Sequence, residues 1–249
     1  VTDREGLHHV GNSTHWIVLE GVRILTDPWV TEPADGILAH SFEPRPLPTA
    51  PDVVLISHRH GDHFDLGALN LLDRAAAVVL PESDLTDGAR GLGFREVHGV
   101  RPGDVLTDVR GLGIEVVKGR HSVPEVCYRV ERRGRALFFG GDTMVTPEIE
   151  EMAAARPVPF AILPGERSTL LGRRYVMTPE EAVGLARRLG ATRAVLTHHE
   201  QFVAKRWPYG WMVRIPPMGQ PDFPAWFVVP RPGDFVAFPW EAAQQEAVS

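Results

Sequence analysis

Residues 57–63 read SHRHGDH and follow the apolar run VVLI at 53–56. Three of the chain's eleven histidines fall within six positions, with an aspartate among them. His58 and His60 alternate, so on extended backbone both point to one side. Asp62 and His63 follow through Gly61, and all four can converge beyond a strand end. Imidazole suits zinc, copper, iron and nickel, and an added carboxylate fits zinc, iron or manganese. A solvated His-rich turn, or a helix start capped by Asp62, would use the same residues without a metal. Three further donors favour the metal. His121 follows GIEVVKG, Asp142 ends RALFFGGD and His198 ends RAVLTH. Taken singly, His121 could be a turn residue, Asp142 a cap for the helix near Thr146, and His198 a half-buried strand end. Taken together, all stand where apolar strands run out, and open α/β sheets carry their sites there.

The elements that must position these donors are legible as alternating strands and helices. HWIVLEG (15–21) and VRILTDP (22–28) form a hairpin around Gly21. Strands are expected at 52–57, 76–82, 113–119, 126–134, 135–141, 160–164 and 193–199. Helices are expected at 66–74, 84–92, 146–155 and 178–190. The last is the best marked: Thr178 is its N-cap, Pro179 opens it, Glu181 completes a capping box and Gly190 stops it. The pattern is an α/β class with mixed sheets.

The 249 residues are 43% hydrophobic and 23% charged, which is ordinary for a globular chain. A net charge of −6 without a basic stripe argues against nucleic acid as a partner. No apolar stretch approaches the roughly 20 residues that span a bilayer, so no stable membrane insertion is expected. The lone Cys127 excludes an intrachain disulfide. With no signal peptide in the opening residues, a cytoplasmic location is the default expectation.

The chain resembles the metallo-β-lactamase superfamily of metal-dependent hydrolases. SHRHGDH matches the H-x-H-x-D-H signature and GGDT the later Gly-Asp element. GVRILTDPW, YVMTPEEAVGLARRLGA and AVLTHHEQF are similar to the branch of ascorbate-6-phosphate lactonase and N-acylphosphatidylethanolamine phospholipase D. The resemblance implies one domain over residues 1–249, a four-layer αββα sandwich of two mixed β-sheets flanked by helices. It places the metals at one edge of the sandwich. Cys127 stands at no ligand position, which sets aside the lactamase subclass with a cysteine ligand. The flavodiiron oxidoreductases carry an acid where His60 stands, and the RNA-processing nucleases carry an added domain absent here. Glyoxalase-like thioester hydrolases share the ligand set but have less similar flanks.

Carried over onto this sequence, the resemblance implies that His58, His60 and His121 bind one divalent ion and Asp62, His63 and His198 a second, with Asp142 bridging. Zinc is the first choice, with Mn2+ or Fe2+ as alternatives. Phe202, four positions after His198, selects His198 over its neighbour His199. Asp27 resembles an acid that orients a ligating histidine. The implied chemistry is hydrolysis by a metal-bound hydroxide, since a bound metal lowers the pKa of water to roughly 7, with Asp62 and Asp142 as catalytic carboxylates. The substrate is a small molecule: a lactone or other ester, with a phosphodiester or phospholipid as the alternative. In a different class, the metals would only stabilise a binding protein. Candidate substrate residues are His40, His199, Arg167, Arg173, Arg174 and Tyr175, because arginine suits phosphate or carboxylate. Two segments stand apart: a Pro-rich loop at 28–51 and an aromatic, Pro-rich stretch at 201–240 containing Trp207, Trp211, Trp226 and Trp240. The stretch reads as packing on the sandwich, a substrate wall or a homo-oligomer contact.

Overall fold

In a computed structural model, the described residues are 3–31, 38–43, 45–199, 202–204, 213–214, 216 and 221–240. Part of the Pro-rich loop, and Trp207 and Trp211, lie outside them.

In chain order the elements are β1 (Gly6–Gly11), β2 (Thr14–Leu19), β3 (Val22–Thr26), β4 (Leu38–His40), β5 (Val53–Leu55), α1 (Leu66–Asn70), β6 (Ala77–Pro81), α2 (Asp84–Gly91), β7 (Glu96–Val100), β8 (Val105–Val109) and β9 (Leu112–Lys118). They continue as β10 (Val126–Arg132), β11 (Arg135–Phe139), α3 (Pro147–Ala155), β12 (Phe160–Pro164), β13 (Thr169–Leu170), α4 (Pro179–Arg188), β14 (Arg193–Thr197), β15 (Phe202–Ala204), β16 (Val213–Arg214), β17 (Phe227–Val228) and β18 (Phe235–Val236).

Two seven-stranded sheets result, in the orders β18-β1-β2-β3-β5-β6-β7 and β17-β14-β12-β11-β10-β9-β8. Each is mixed. In the first, β1, β2 and β3 are antiparallel and β3, β5, β6 and β7 parallel. In the second, β8 to β11 are antiparallel and β11, β12, β14 and β17 parallel.

Both sheets are buried on two faces, so their central strands are unbroken apolar runs. In β3, Ile24 enters the core between the sheets while Leu25 faces the helix side, and Val53 and Val54 of β5 divide in the same way. The inter-sheet core is completed by Tyr128, Phe139, Phe160 and Ile162 from the second sheet. On the outer faces, Leu69 and Leu85 of α1 and α2 cover the first sheet, and Ile149, Met152, Leu185 and Ala186 of α3 and α4 cover the second. Burying each large apolar side chain contributes about 1.5–3 kcal/mol. These three cores make the expected αββα sandwich.

Local signals act as the sequence implies. Glu20 and Gly21 take φ of 51° and 76°, both positive, as a two-residue hairpin loop between right-twisted strands requires. Thr178 and Glu181 form the capping box of α4. One expectation is corrected, and one alternative reading, Asp62 as a helix cap, is removed. Helix α1 stops at Asn70 rather than reaching 74, because Arg74 turns back and donates to the carbonyls of Leu69, Asn70 and Leu72. Its N-cap is Asp65, not Asp62, and the same carboxylate accepts from Val30 N, Thr31 N and Thr31 Oγ1. Asp62 is thereby left to face the sheet edge. Trp226 packs on the outer core of the second sheet, and Trp240 on the inter-sheet core against Phe238. Among the described residues, no helix is long and apolar enough to cross a membrane.

Candidate metal centre

The topology brings one edge of both sheets together. Strands β3, β5, β9, β11, β12 and β14 all end there, followed by Asp27, His58, His121, Asp142, Glu166 and His198. The turn after β5 is tight, with His63 N and Phe64 N both donating to the His60 carbonyl. That turn swings His60, Asp62 and His63 back over the edge. The edge is cross-tied, since Val126 N donates to Ser57 O and Met144 N to Arg120 O.

Seven side chains fall into two groups that could each hold a metal ion: His58, His60 and His121, and Asp62, His63, Asp142 and His198. In the first, His60 Nδ1 lies 2.9 Å from His58 Nε2 and 3.1 Å from His121 Nε2. In the second, Asp142 Oδ2 is 3.1 Å from His63 Nε2 and 3.0 Å from His198 Nε2, while Asp62 Oδ2 is 3.3 Å from both nitrogens. A tetrahedral ion with bonds of about 2.0–2.2 Å needs donor separations of about 3.3–3.6 Å, so the second group is contracted by only a few tenths of an ångström. Asp142 Oδ2 also lies 4.0 Å from His121 Nε2, between the two groups.

The far side of the histidines fixes their tautomers. His121 Nδ1 donates to the Tyr175 carbonyl at 3.0 Å, so its Nε2 presents a lone pair inward. His63 Nδ1 lies 2.7 Å from Asp27 Oδ2, and His198 Nδ1 lies 2.9 Å from Glu166 Oε2. His58 Nδ1 has Ser57 Oγ at 2.9 Å and Glu125 Oε1 at 3.5 Å. Such outer contacts orient ligating imidazoles and raise their basicity. Glu125 Oε1 also accepts the Asp142 N–H at 2.6 Å. His198 takes φ of 53°, an uncommon backbone conformation for a non-glycine residue that turns it off β14 toward the edge.

The electrostatics match a cation site. Burial holds the pKa of His58 and His121 below the ordinary histidine value and that of His60 down at about 4, so all three are neutral ligands at pH 7. Burial also opposes charge on His63 and His198, but Asp142 and Asp62 outweigh it and raise both imidazoles well above 6.5. Burial favours a neutral Asp142 and Asp62, but the same two imidazoles pull both carboxyls well down. Protons on these imidazoles and a divalent cation answer the same two carboxylates, and metal binding releases such protons. His63 Nε2 and Asp142 Oδ1 are buried and make no hydrogen bond among the described residues. The donor set therefore fits divalent metal.

A cavity of about 130 Å³ opens over the cluster, lined by Asp62, Asp142 and Glu166 below and by Ser168, Thr169, Leu170, Tyr175 and Val176 above. Tyr175 lines this cavity, and Asp27 contacts His63 on its far side. The three candidate arginines make local contacts. Arg167 pairs with Glu180, and Arg174 pairs with Glu181, the capping-box acid of α4. Arg173 is held by backbone bonds to Leu170. None of the three lines this cavity. His40 stacks on Trp29, with ring centroids 3.6 Å apart, and pairs with Phe202 across β4 and β15. His199 is buried beside His198 but belongs to neither donor group.

Two supporting acids escaped the sequence reading. Glu166 carries the same signal as the donors, an acid just past an apolar strand (FAILPGE). Glu125 precedes its strand, and only the antiparallel course of β10 brings it to this edge.

The family model of the beta-lactamase superfamily domain matches residues 22–199. The chain belongs to that family and is a metal-dependent hydrolase of the metallo-β-lactamase superfamily. It is similar to a UPF0173 metal-dependent hydrolase of Korarchaeum cryptofilum (strain OPF8), at 27% identity over 190 residues, covering 74% of this chain and 79% of the relative. A solved metallo hydrolase from the hyperthermophilic archaeon Ignicoccus hospitalis KIN4/I superimposes with a TM-score of 0.60 at 26% identity, covering 78% and 82% of the two chains. An isothiocyanate hydrolase from Delia radicum gut bacteria shares the fold, with a TM-score of 0.70 at 18% identity over 93% and 98%.

Proposed function

We propose that the chain is a dinuclear hydrolase of small lactones or other esters. His58, His60 and His121 hold one ion, Asp62, His63 and His198 the other, and Asp142 stands between them. The observation that carries this is the pair of donor groups meeting at Asp142. Zinc fits the histidine-rich set best, with Mn2+ or Fe2+ as alternatives. When bound, the two ions supply a water acidified to near neutrality and a Lewis acid for the reacting carbonyl.

The chain's own residues do the rest. Asp27, Glu125, Glu166 and the Tyr175 carbonyl fix the imidazoles. Asp62 lines the cavity and would take up a proton when water is activated there. Val176 and Tyr175, with the more exposed Leu170 beside them, would limit water access from one side. The apolar Leu170 and Val176 in the lining, beside the hydroxyls of Ser168 and Thr169, support a small uncharged ester.

Elemental analysis of protein purified without chelator should approach two equivalents of metal. A panel of lactones, aryl esters and phosphodiesters should then show ester or lactone turnover that chelator removes. Metal near zero, with no activity gained on adding Zn2+, Mn2+ or Fe2+, would sink the reading.

A further inference from the structure

The turn between β1 and β2, residues 12–13, reaches the same edge although it carries no metal donor. Asn12 is buried and takes φ of 50°. Its side-chain Nδ2 donates to Asp62 Oδ2 at 3.3 Å, the oxygen that faces His63 and His198. Its carbonyl accepts from the hydroxyl of Thr197, the residue before His198. Next along the chain, Thr14 Oγ1 donates to the Asp27 carbonyl at 2.7 Å, and Asp27 holds His63. Thr26 Oγ1 donates to Ser13 O at 2.7 Å. One short turn thus touches Asp62 directly, His198 through its neighbour and His63 through its orienting acid.

The turn is itself held from below. With the Thr197 hydroxyl committed to Asn12 O, His15 Nε2 donates to Thr197 Oγ1 at 3.2 Å. His15 Nδ1 then accepts from His9 Nδ1 at 3.1 Å. Both imidazoles are buried between the sheets. Among the described residues, the turn makes no hydrogen bond to His58, His60, His121, Glu125, Ser122 or Tyr175.

We propose that Asn12 is a positioning residue for the second donor group alone. Its amide and its left-handed backbone hold Asp62, and through Thr197 His198, at the spacing a metal ion needs. The inference rests on the two-ion reading above. Asn12 does not touch substrate in this role; it sets how tightly one of two ions is kept.

The test uses holoprotein challenged with graded chelator, with retained zinc read by elemental analysis. Asn12→Gly keeps the left-handed φ without strain and removes the amide. It should lower the chelator concentration that extracts one equivalent by about 10–100-fold, the usual effect of losing an outer-sphere partner, and leave the other equivalent within twofold. In a His121→Ala background, which disables the first group, the weakened equivalent should be the one that remains. Thr197→Val should weaken the same ion, and Thr197→Ser, which keeps the hydroxyl, should restore it; this pair decides the matter if Asn12→Gly does not fold. Equal weakening of both ions alongside a lower Tm would mean a general structural role and overturn the proposal. So would unchanged retention. A parent protein holding only one equivalent would overturn the two-ion reading, and this inference with it.

Discussion

Asp27 Oδ2 stands 2.7 Å from His63 Nδ1, with both side chains fully buried. The same carboxylate accepts from Ser57 N at 2.7 Å and Ser57 Oγ at 2.6 Å, so it binds the start of the SHRHGDH segment as well as its last histidine. One acid after β3 thereby fixes both ends of the donor-bearing turn after β5. Asp27→Asn keeps the shape but presents an N–H where an acceptor is needed. It should weaken retention of one metal equivalent by about 10–100-fold. Asp27→Ala also strands the buried Ser57 N–H and should cost a further 1–3 kcal/mol or so in stability. Chelator challenge and thermal denaturation read the two effects separately. Normal metal retention in Asp27→Asn would show that the contact orients nothing.

Asp142 belongs to the second donor group and its Oδ2 lies 4.0 Å from His121 Nε2 of the first. Asp142→Ala should leave a folded protein, because its side chain supports no core packing, yet abolish hydrolysis of whichever ester the parent turns over. Circular dichroism and turnover assays on the same preparation check this. Parent-like turnover would remove Asp142 from the mechanism.

How much of this was legible in the sequence follows from where the signal lies. His58, His121, Asp142 and His198 each follow an apolar run, and His60, Asp62 and His63 come within five residues of His58, so residue type and strand end coincide. The strands buried on two faces were readable for the same reason. The missed strands lack that signal. β7 and β8 are edge strands, the first of largely half-exposed and the second of largely exposed residues, and β17 and β18 are two residues long and pair with β14 and β1. The partners of the arginines were not legible, because charge alone does not reveal them: Glu180 and Glu181 reach Arg167 and Arg174 only once α4 is placed. Glu125 was invisible because the direction of β10 is a property of the sheet, not of its own residues.

Asp52 pins the start of β5 to β3. It accepts from Arg23 N at 2.8 Å, Nε at 3.0 Å and Nη2 at 2.8 Å. These bonds to Arg23 hold its carboxyl below the ordinary value of 3.8. A depressed carboxyl contributes stability that is present above 3.8 and lost as pH falls through its lower folded value. The pair is about one-third exposed, so its worth is at the surface end, about 0.2–1 kcal/mol. Asp52→Asn should therefore lower Tm by roughly 1–4 °C at pH 7, and the gap to the parent should close as pH drops below 3.8. A gap that persists unchanged at pH 3 would assign the effect to something other than the charge.

Gly141 precedes Asp142 and takes φ of 60°. A Cβ there would lie 2.6 Å from Ser57 Cβ and 2.7 Å from Glu125 Oε1. Both neighbours support donors, Ser57 through Asp27 and His58, Glu125 through the Asp142 N–H. Neither can move without disturbing the cluster. Gly21, in the β2–β3 loop, offers an internal control, with φ of 76° but nothing within 4 Å of an added Cβ. Left-handed backbone costs an L-residue about 1–2 kcal/mol at either position. Gly21→Ala should lose that stability and keep its full metal complement. Gly141→Ala should lose more, and it should release metal at lower chelator concentration, because the displaced Ser57 and Glu125 carry the error to His58 and Asp142. If the two variants differ in neither Tm nor metal retention, the close approach of Gly141 to Ser57 does not position the site.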